Sequence, residues 1–138
     1  MEVIGNGIDI VKNSRIQKSI SNINFIKRIY STHEINQSRF IKNKVGFFAK
    51  RFAAKEAFVK SLGTGFRKGI NFSDISIVNN SLGKPDIKIN SKIKFIIRKK
   101  IKIKKFKVFL SLSDEKTHSI AFVVLSGLKK WKKLFLII

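Results

Sequence analysis

A chain with no cysteine and only two histidines has no thiolate nucleophile, no disulfide framework and no Cys-ligated zinc, so its chemistry must come from carboxylates, lysines and hydroxyls. Two of its eight acidic residues stand in unusual company. Asp9 lies near the end of an apolar run, among Ile8, Ile10 and Val11, and Glu56 lies between Ala53 and Ala57, one helical turn before Lys60. Burying charge costs free energy unless a cation or hydrogen bonds compensate it. A structural reading satisfies both residues: Asp9 caps a strand end or joins a salt bridge, and Glu56 pairs with Lys60 at i, i+4. The alternative is a site that uses both carboxylates. On residue types alone the structural reading is the stronger.

These residues need elements to position them. Val3 to Val11 is β-branched and apolar, with Gly5 and Gly7 inside it, and reads as a strand whose glycines permit close backbone approach. Asn13 or Ser14 is placed to cap a short helix with Ile16, Ile20 and Ile23 on one stripe, which leaves Arg15 and Lys18 off it. A second helical piece covers Phe25 to Tyr30, and Ser31 with Glu34 fits a capping box that opens a third. The longest helical signal runs from Val45 to Leu62 and stops at Gly63-Thr64-Gly65. Phe48, Phe52, Val59 and Leu62 share one face of it, with Phe47 and Phe58 beside them. Glu56 and Lys60 fall on a strip otherwise made of Ala49, Ala53 and Ala57, which suggests room for a ligand. Lys55 sits close to the phenylalanine stripe, where its stem is expected to pack while the ammonium snorkels out. Ile75 to Asn79 and Asp86 to Asn90 read as strands joined by the turn Leu82-Gly83-Lys84-Pro85. Ser91 is placed to cap a segment that fits a helix, although the Ile/Lys alternation after Lys100 fits a strand equally well. Lys107 to Ser113 and Ser119 to Leu125 form a hairpin.

At 138 residues and 43% hydrophobic content the chain is expected to form one core. Its N-terminus, MEVIGNGIDIV, lacks a basic leader and an uninterrupted apolar run, and no stretch is long enough to span a bilayer. A soluble, cytoplasmic protein is expected. The net charge of +22 raises a nucleic acid, an anionic membrane or an acidic protein as partner. The excess of Lys over Arg, together with abundant Ile, Asn, Phe and Ser, points to codon drift on solvated faces for much of that charge. No zinc-finger or RNA-recognition signature is present, so no specific nucleic-acid partner is expected.

The order of GIDIV (Gly7 to Val11), Arg15-Ile16, RFAAKEA (Arg51 to Ala57), KSLGTG (Lys60 to Gly65), LGKP (Leu82 to Pro85) and SLSDE (Ser111 to Glu115) resembles the small bacterial 4′-phosphopantetheinyl transferases. Phe25-x-x-Arg28-x-Tyr30-Ser31 followed by Glu34 is similar to the family's second block. The resemblance implies an α+β fold with an antiparallel sheet and packed helices, formed by residues 1–126, and a homotrimer with active sites between subunits. It implies that Asp9 and Glu56 bind Mg²⁺ together with the pyrophosphate of coenzyme A, that Glu56 or a water it orients accepts the serine proton, and that Lys60 lies against the phosphates. Arg51, Gly63, Lys84 and Pro85 are further candidates for coenzyme A contacts; solvated charge is the plainer reading of Arg51 and Lys84, and a helix stop that of Gly63. The partner implied is an apo acyl carrier protein, docked on Arg15 and Lys18 with Lys27 and Arg28 nearby.

There is one departure. Phe109 stands where many family members have histidine, two residues before the hydroxyl residue matching Ser111. Residues 127–138, ending LKKWKKLFLII, extend beyond the family's usual end and read as a drifted extension, with a membrane-surface contact as the alternative.

Overall fold

The computed structural model describes residues 1–63 and 69–129. β1 (Glu2–Lys12) leads into three short helices, α1 (Asn13–Ser19), α2 (Ile23–Ile29) and α3 (Thr32–Ser38), and then the long helix α4 (Lys44–Ser61). A 3-10 turn at Phe72–Asp74 precedes β2 (Ile75–Asn79) and β3 (Pro85–Ile89), followed by α5 (Ser91–Lys100), β4 (Ile103–Asp114) and β5 (His118–Lys129). β1, β5 and β4 form an antiparallel sheet in that order, and β2 pairs with β3 in a separate antiparallel ribbon. This is the expected α+β architecture.

The helix α4 lies on the inner face of the three-stranded sheet. Its phenylalanine stripe is buried as expected, Phe48, Phe52, Val59 and Leu62 included. The alanine strip has a different use from the one expected. Ala49, Ala53 and Ala57 are fully buried, and β1 closes on the Ala57 end of the strip. A Cβ on Gly7 would fall 1.9 Å from the Ala57 carbonyl oxygen, and one on Gly5 would fall 2.0 Å from that of Ser61. Small residues on both elements thus let a strand backbone touch a helix backbone, which leaves no room there for a ligand.

Several local signals resolve differently from expectation. Asn13 does not cap α1: Lys12 holds that position without a side-chain bond. The Asn13 amide instead donates to the Glu115 and Lys116 carbonyls and accepts from the Ser119 hydroxyl, tying α1 to the β4–β5 turn. Ile23 leaves the Ile16 and Ile20 stripe, being exposed at the start of α2. Asn90, not Ser91, caps α5, which is helical to Lys100, so the later Ile/Lys alternation belongs to β4. The Ser31–Glu34 capping box forms as expected. β5 runs on to Lys129, opposite Ile103, whereas Thr64, Gly65 and residues 130–138 of the expected extension lie outside the described residues.

The close approach of β1 and α4 predicts that Gly7→Ala destabilises the protein by about 2–3 kcal/mol, the scale of core overpacking. Chemical denaturation of the purified variant measures it. An unchanged unfolding midpoint would contradict the contact.

Candidate active site

Gly5 faces Ser61 and Gly7 faces Ala57, so β1 runs antiparallel to α4. The next inward residue of β1, Asp9, therefore comes level with the turn of α4 that carries Glu56. Helical side chains lean toward the N-terminus, and Lys60 does so: its Nζ donates to the Asp9 carboxylate at 3.1 Å and to the Ile8 carbonyl at 3.0 Å. Glu56, one turn earlier on the same flank, is half-buried. Asp9 is 17% exposed at its side chain and Lys60 47%. A carboxylate held in a recess and a cation with a free solvent side can both reach a ligand arriving from outside.

Lys60 bridges to the strand, so the sequence-based reading of it as only the helix partner of Glu56 is incomplete. Among the described residues no group of three or more histidine, aspartate or glutamate side chains gathers to hold a metal. Two carboxylates fall short of a full coordination sphere. They fit Mg²⁺, which keeps several waters and completes its shell with substrate phosphates rather than a protein cage.

The other candidate coenzyme A residues lie elsewhere on the chain. Arg51 precedes Glu56 by five residues, about 140° around the helix. It is buried, stacked 3.5 Å from the Phe47 ring centroid, with its Nε unpartnered. It lines a cavity of about 210 Å³ with Gln37, Lys50 and Asn79. Lys84 is exposed in the β2–β3 turn, where the Asn80 side chain accepts from the Leu82 and Lys84 amides and Gly83 takes φ +81°. Pro85 follows as the first residue of β3. Gly63 ends α4 with φ +100°, its amide donating to the Lys60 carbonyl, which is the helix-stop role.

Arg15 and Arg28 come together over an aromatic platform. Phe25 and Phe52 stack at 6.3 Å, with the Arg15 guanidinium 5.8 Å from the Phe52 centroid and that of Arg28 6.0 Å from Phe25. Lys18 and Lys27 are exposed on the same two helices.

Lys55 does not snorkel. It is fully buried, its Nζ donating to the Glu34 carboxylate at 2.6 Å, to the Phe72 carbonyl at 2.9 Å and to the Ile75 carbonyl. Glu34 in turn accepts from the Ser31 and Ile77 amides. Burial pushes the Lys55 ammonium below the usual lysine range, against the pull of Glu34. The pair pins the roll of α4 against α3 and β2, and so aims Glu56, the very next residue. Tyr30 adds a bond from its hydroxyl to the Phe48 carbonyl at 2.8 Å, and burial raises its pKa. The lysine between alanines in RFAAKEA and the glutamate of the capping box were the available signals for this lock.

Residues 5–123 match the model of the 4′-phosphopantetheinyl transferase superfamily. The holo-[acyl-carrier-protein] synthase of Pelagibacter ubique is 54% identical over 125 residues, covering 91% of this chain and 98% of the relative. The crystal structure of the Neisseria meningitidis holo-[acyl-carrier-protein] synthase superposes with a TM-score of 0.81 at 35% identity, covering 91% of this chain and 99% of that one. The Bacillus anthracis synthase in complex with CoA (3′,5′-ADP) superposes at 0.76 and 34% identity, covering 92% and 99%.

Lys55→Met leaves Glu34 charged and buried without its cation, and is expected to cost about 3–5 kcal/mol. Urea unfolding measures it. A loss below about 1 kcal/mol, the scale of an exposed pair, would mean that the pair does not hold α4.

Proposed function

The chain belongs to the holo-[acyl-carrier-protein] synthases of the 4′-phosphopantetheinyl transferase superfamily, and on that premise we propose how its own residues carry out the transfer. As such a synthase it moves the 4′-phosphopantetheine group of coenzyme A onto an acyl carrier protein, in support of fatty acid biosynthesis. The observation that carries the assignment of residues is the contact of Lys60 with Asp9, 3.1 Å across the β1–α4 seam and one turn from Glu56.

Asp9 and Glu56 would hold Mg²⁺ beside the pyrophosphate of coenzyme A, where the ion would supply Lewis-acid polarisation of the phosphate and charge stabilisation of the leaving group. Lys60, with its ammonium half in solvent, turns from Asp9 toward a phosphate oxygen as a charge-assisted donor. Glu56, or a water that it orients, accepts the proton of the carrier serine. The serine oxygen bonds to the phosphorus nearer pantetheine, and the bond from that phosphorus to the bridging oxygen breaks. Adenosine 3′,5′-bisphosphate leaves with the electron pair.

Arg51 and Lys84, with Gly63 and Pro85, complete coenzyme A binding across a subunit boundary in a homotrimer. Two observations support this. Arg51 and Lys84 are set apart from Asp9 on the single chain, and the sheet face away from α4 exposes Ile8, Ile10, Phe109, Ile120 and Phe122. In register, Ile8 pairs with Phe122 and Ile10 with Ile120, so the apolar side chains form one patch of the kind that marks an interface. Phe109 extends that patch where the resemblance leads one to expect histidine. The cytoplasm is the proposed site of the reaction, in keeping with the absence of any helix among the described residues long and apolar enough to cross a membrane.

Apo carrier protein incubated with the chain, coenzyme A and Mg²⁺ is expected to gain the mass of one phosphopantetheine, and chelation of Mg²⁺ to prevent it. Asp9→Asn and Glu56→Gln should each lower kcat by about 100-fold or more with the fold intact, whereas Lys60→Ala should mainly raise KM for coenzyme A. Wild-type rates in both carboxylate variants would remove the metal assignment.

The carrier is docked through Arg15, Lys18, Lys27 and Arg28, whose charge complements an acidic protein. Arg15→Glu/Lys18→Glu is expected to raise KM for the carrier about tenfold or more while leaving KM for coenzyme A unchanged; Lys99→Glu/Lys100→Glu, with the same charge change, should have little effect on either. Equal effects would mean that the diffuse positive field recruits the carrier. The shared site makes a further prediction. Asp9→Asn and Lys84→Ala, each impaired alone, should recover activity when unfolded and refolded together, because mixed assemblies contain boundaries with both residues intact. Activity no higher than the sum of the separate variants would place the whole site within one subunit.

A further inference from the structure

Asn13 stands between the two parts of the proposed reaction site. It follows Asp9 by four residues and precedes Arg15 by two, at the point where β1 ends and α1 begins. The helix it opens is poorly equipped to hold its own direction. α1 has seven residues, its cap position at Lys12 makes no side-chain bond, and Ile16 is its one buried residue. A helix of two turns is marginal in water unless tertiary contacts hold it. Burial of Ile16 seats α1 on the core, but a single seat leaves the helix free to pivot.

The second attachment is polar, and Asn13 supplies it. Its backbone amide donates to the Thr117 carbonyl at 2.9 Å, and its side-chain amide donates to the carbonyls of Glu115 at 3.0 Å and Lys116 at 3.2 Å. Its side-chain oxygen accepts from the Ser119 hydroxyl at 2.8 Å. Both heteroatoms of the side chain are thus directed at the end of the β4–β5 hairpin. That end is a firm anchor: the Glu115 amide donates to the His118 carbonyl at 2.9 Å, and Ser119 is fully buried and stands opposite Val11 of β1. The hairpin that receives α1 is therefore paired to the strand that carries Asp9.

We propose that Asn13 is a positioning residue for the transfer: by latching the start of α1 to the β4–β5 hairpin it holds Arg15 and Lys18 in a fixed direction from Asp9. It thereby sets where the serine of the carrier arrives. This rests on the reading that α1 docks the carrier. Asn13 acts through Arg15 and Lys18 and not on the reacting atoms. A helix that pivots presents the same charge in many orientations, so the acidic partner is still attracted but must order the dock as it binds, and that ordering weakens the complex. Alignment of the serine with the phosphorus suffers with it.

Steady-state kinetics of Asn13→Ala, Ser119→Ala and the double variant test the proposal. Asn13→Ala is expected to raise KM for the carrier at least fivefold and to leave KM for coenzyme A unchanged. The salt dependence of kcat/KM for the carrier should persist in it, because the charges of α1 remain. Ser119→Ala removes one bond of the latch from the hairpin side and should raise KM for the carrier at least twofold, which reads the same effect should Asn13→Ala fail to fold. The double variant should be no worse than Asn13→Ala alone, since both remove parts of one latch. An unchanged KM for the carrier in both single variants would overturn the proposal. So would a fall in kcat with both KM values unchanged, the mark of a merely structural loss of active protein, or effects of the two substitutions that multiply. Arg15→Glu/Lys18→Glu tells the two readings apart. If it raises KM for the carrier while Asn13→Ala and Ser119→Ala do not, the dock on α1 stands and the latch alone falls; if none of the three variants raises it, both fall.

Discussion

A Cβ at Gly7 would lie 1.9 Å from the Ala57 carbonyl oxygen, closer than any packed atom tolerates, and this contact of backbone with backbone governs the rest of the molecule. It brings β1 near enough to α4 for a lysine on the helix to reach a carbonyl and a carboxylate on the strand. Ala57 serves the same end from the helix side. The approach sets only the distance, however. The roll of α4 about its own axis is set from the opposite side, where Lys55 is held by Glu34 and by two carbonyls of the segment leading into β2. Translation and rotation of one helix are thus fixed by two contacts on opposite flanks, and Glu56 and Lys60 inherit their positions from both.

Much of this was legible in the residues. The glycines of β1 signalled close approach, the capping box at Ser31 and Glu34 formed as its spacing implied, and the phenylalanine stripe found the core. The failures share one cause. A helical wheel separates apolar from polar positions but cannot tell which polar group has a partner waiting on another element. Lys55 therefore read as a lysine that packs its stem and snorkels its ammonium to solvent, although its partner is the same Glu34 that closes the capping box. The alanine strip read as open space because the strand that closes on its Ala57 end lies some fifty residues earlier. Asn13 read as a helix cap, and nothing in the sequence singled out Asn80; one latches α1 to the β4–β5 turn and the other organises the turn that carries Lys84.

The candidate site divides in two on the single chain. Asp9, Glu56 and Lys60 share a seam, whereas Arg51 lines a separate cavity and Lys84 stands on an exposed turn. The outer face of the β1-β5-β4 sheet carries the apolar residues that an enclosed protein would bury. The proposed second copy on that face would account for both facts by bringing its own basic groups to the seam. The strong positive charge is distributed over separate faces, with arginines over Phe25 and Phe52 on one and the lysines of α5 on another.

Mn²⁺ titration followed by electron paramagnetic resonance, with and without coenzyme A, tests the central assignment most directly because it reads the metal rather than the product. The account predicts weak binding to the protein alone, tight binding when coenzyme A is present, and a loss of at least tenfold in that affinity for both Asp9→Asn and Glu56→Gln. Equal Mn²⁺ affinity in the wild type and both variants, with coenzyme A bound in each, would contradict it.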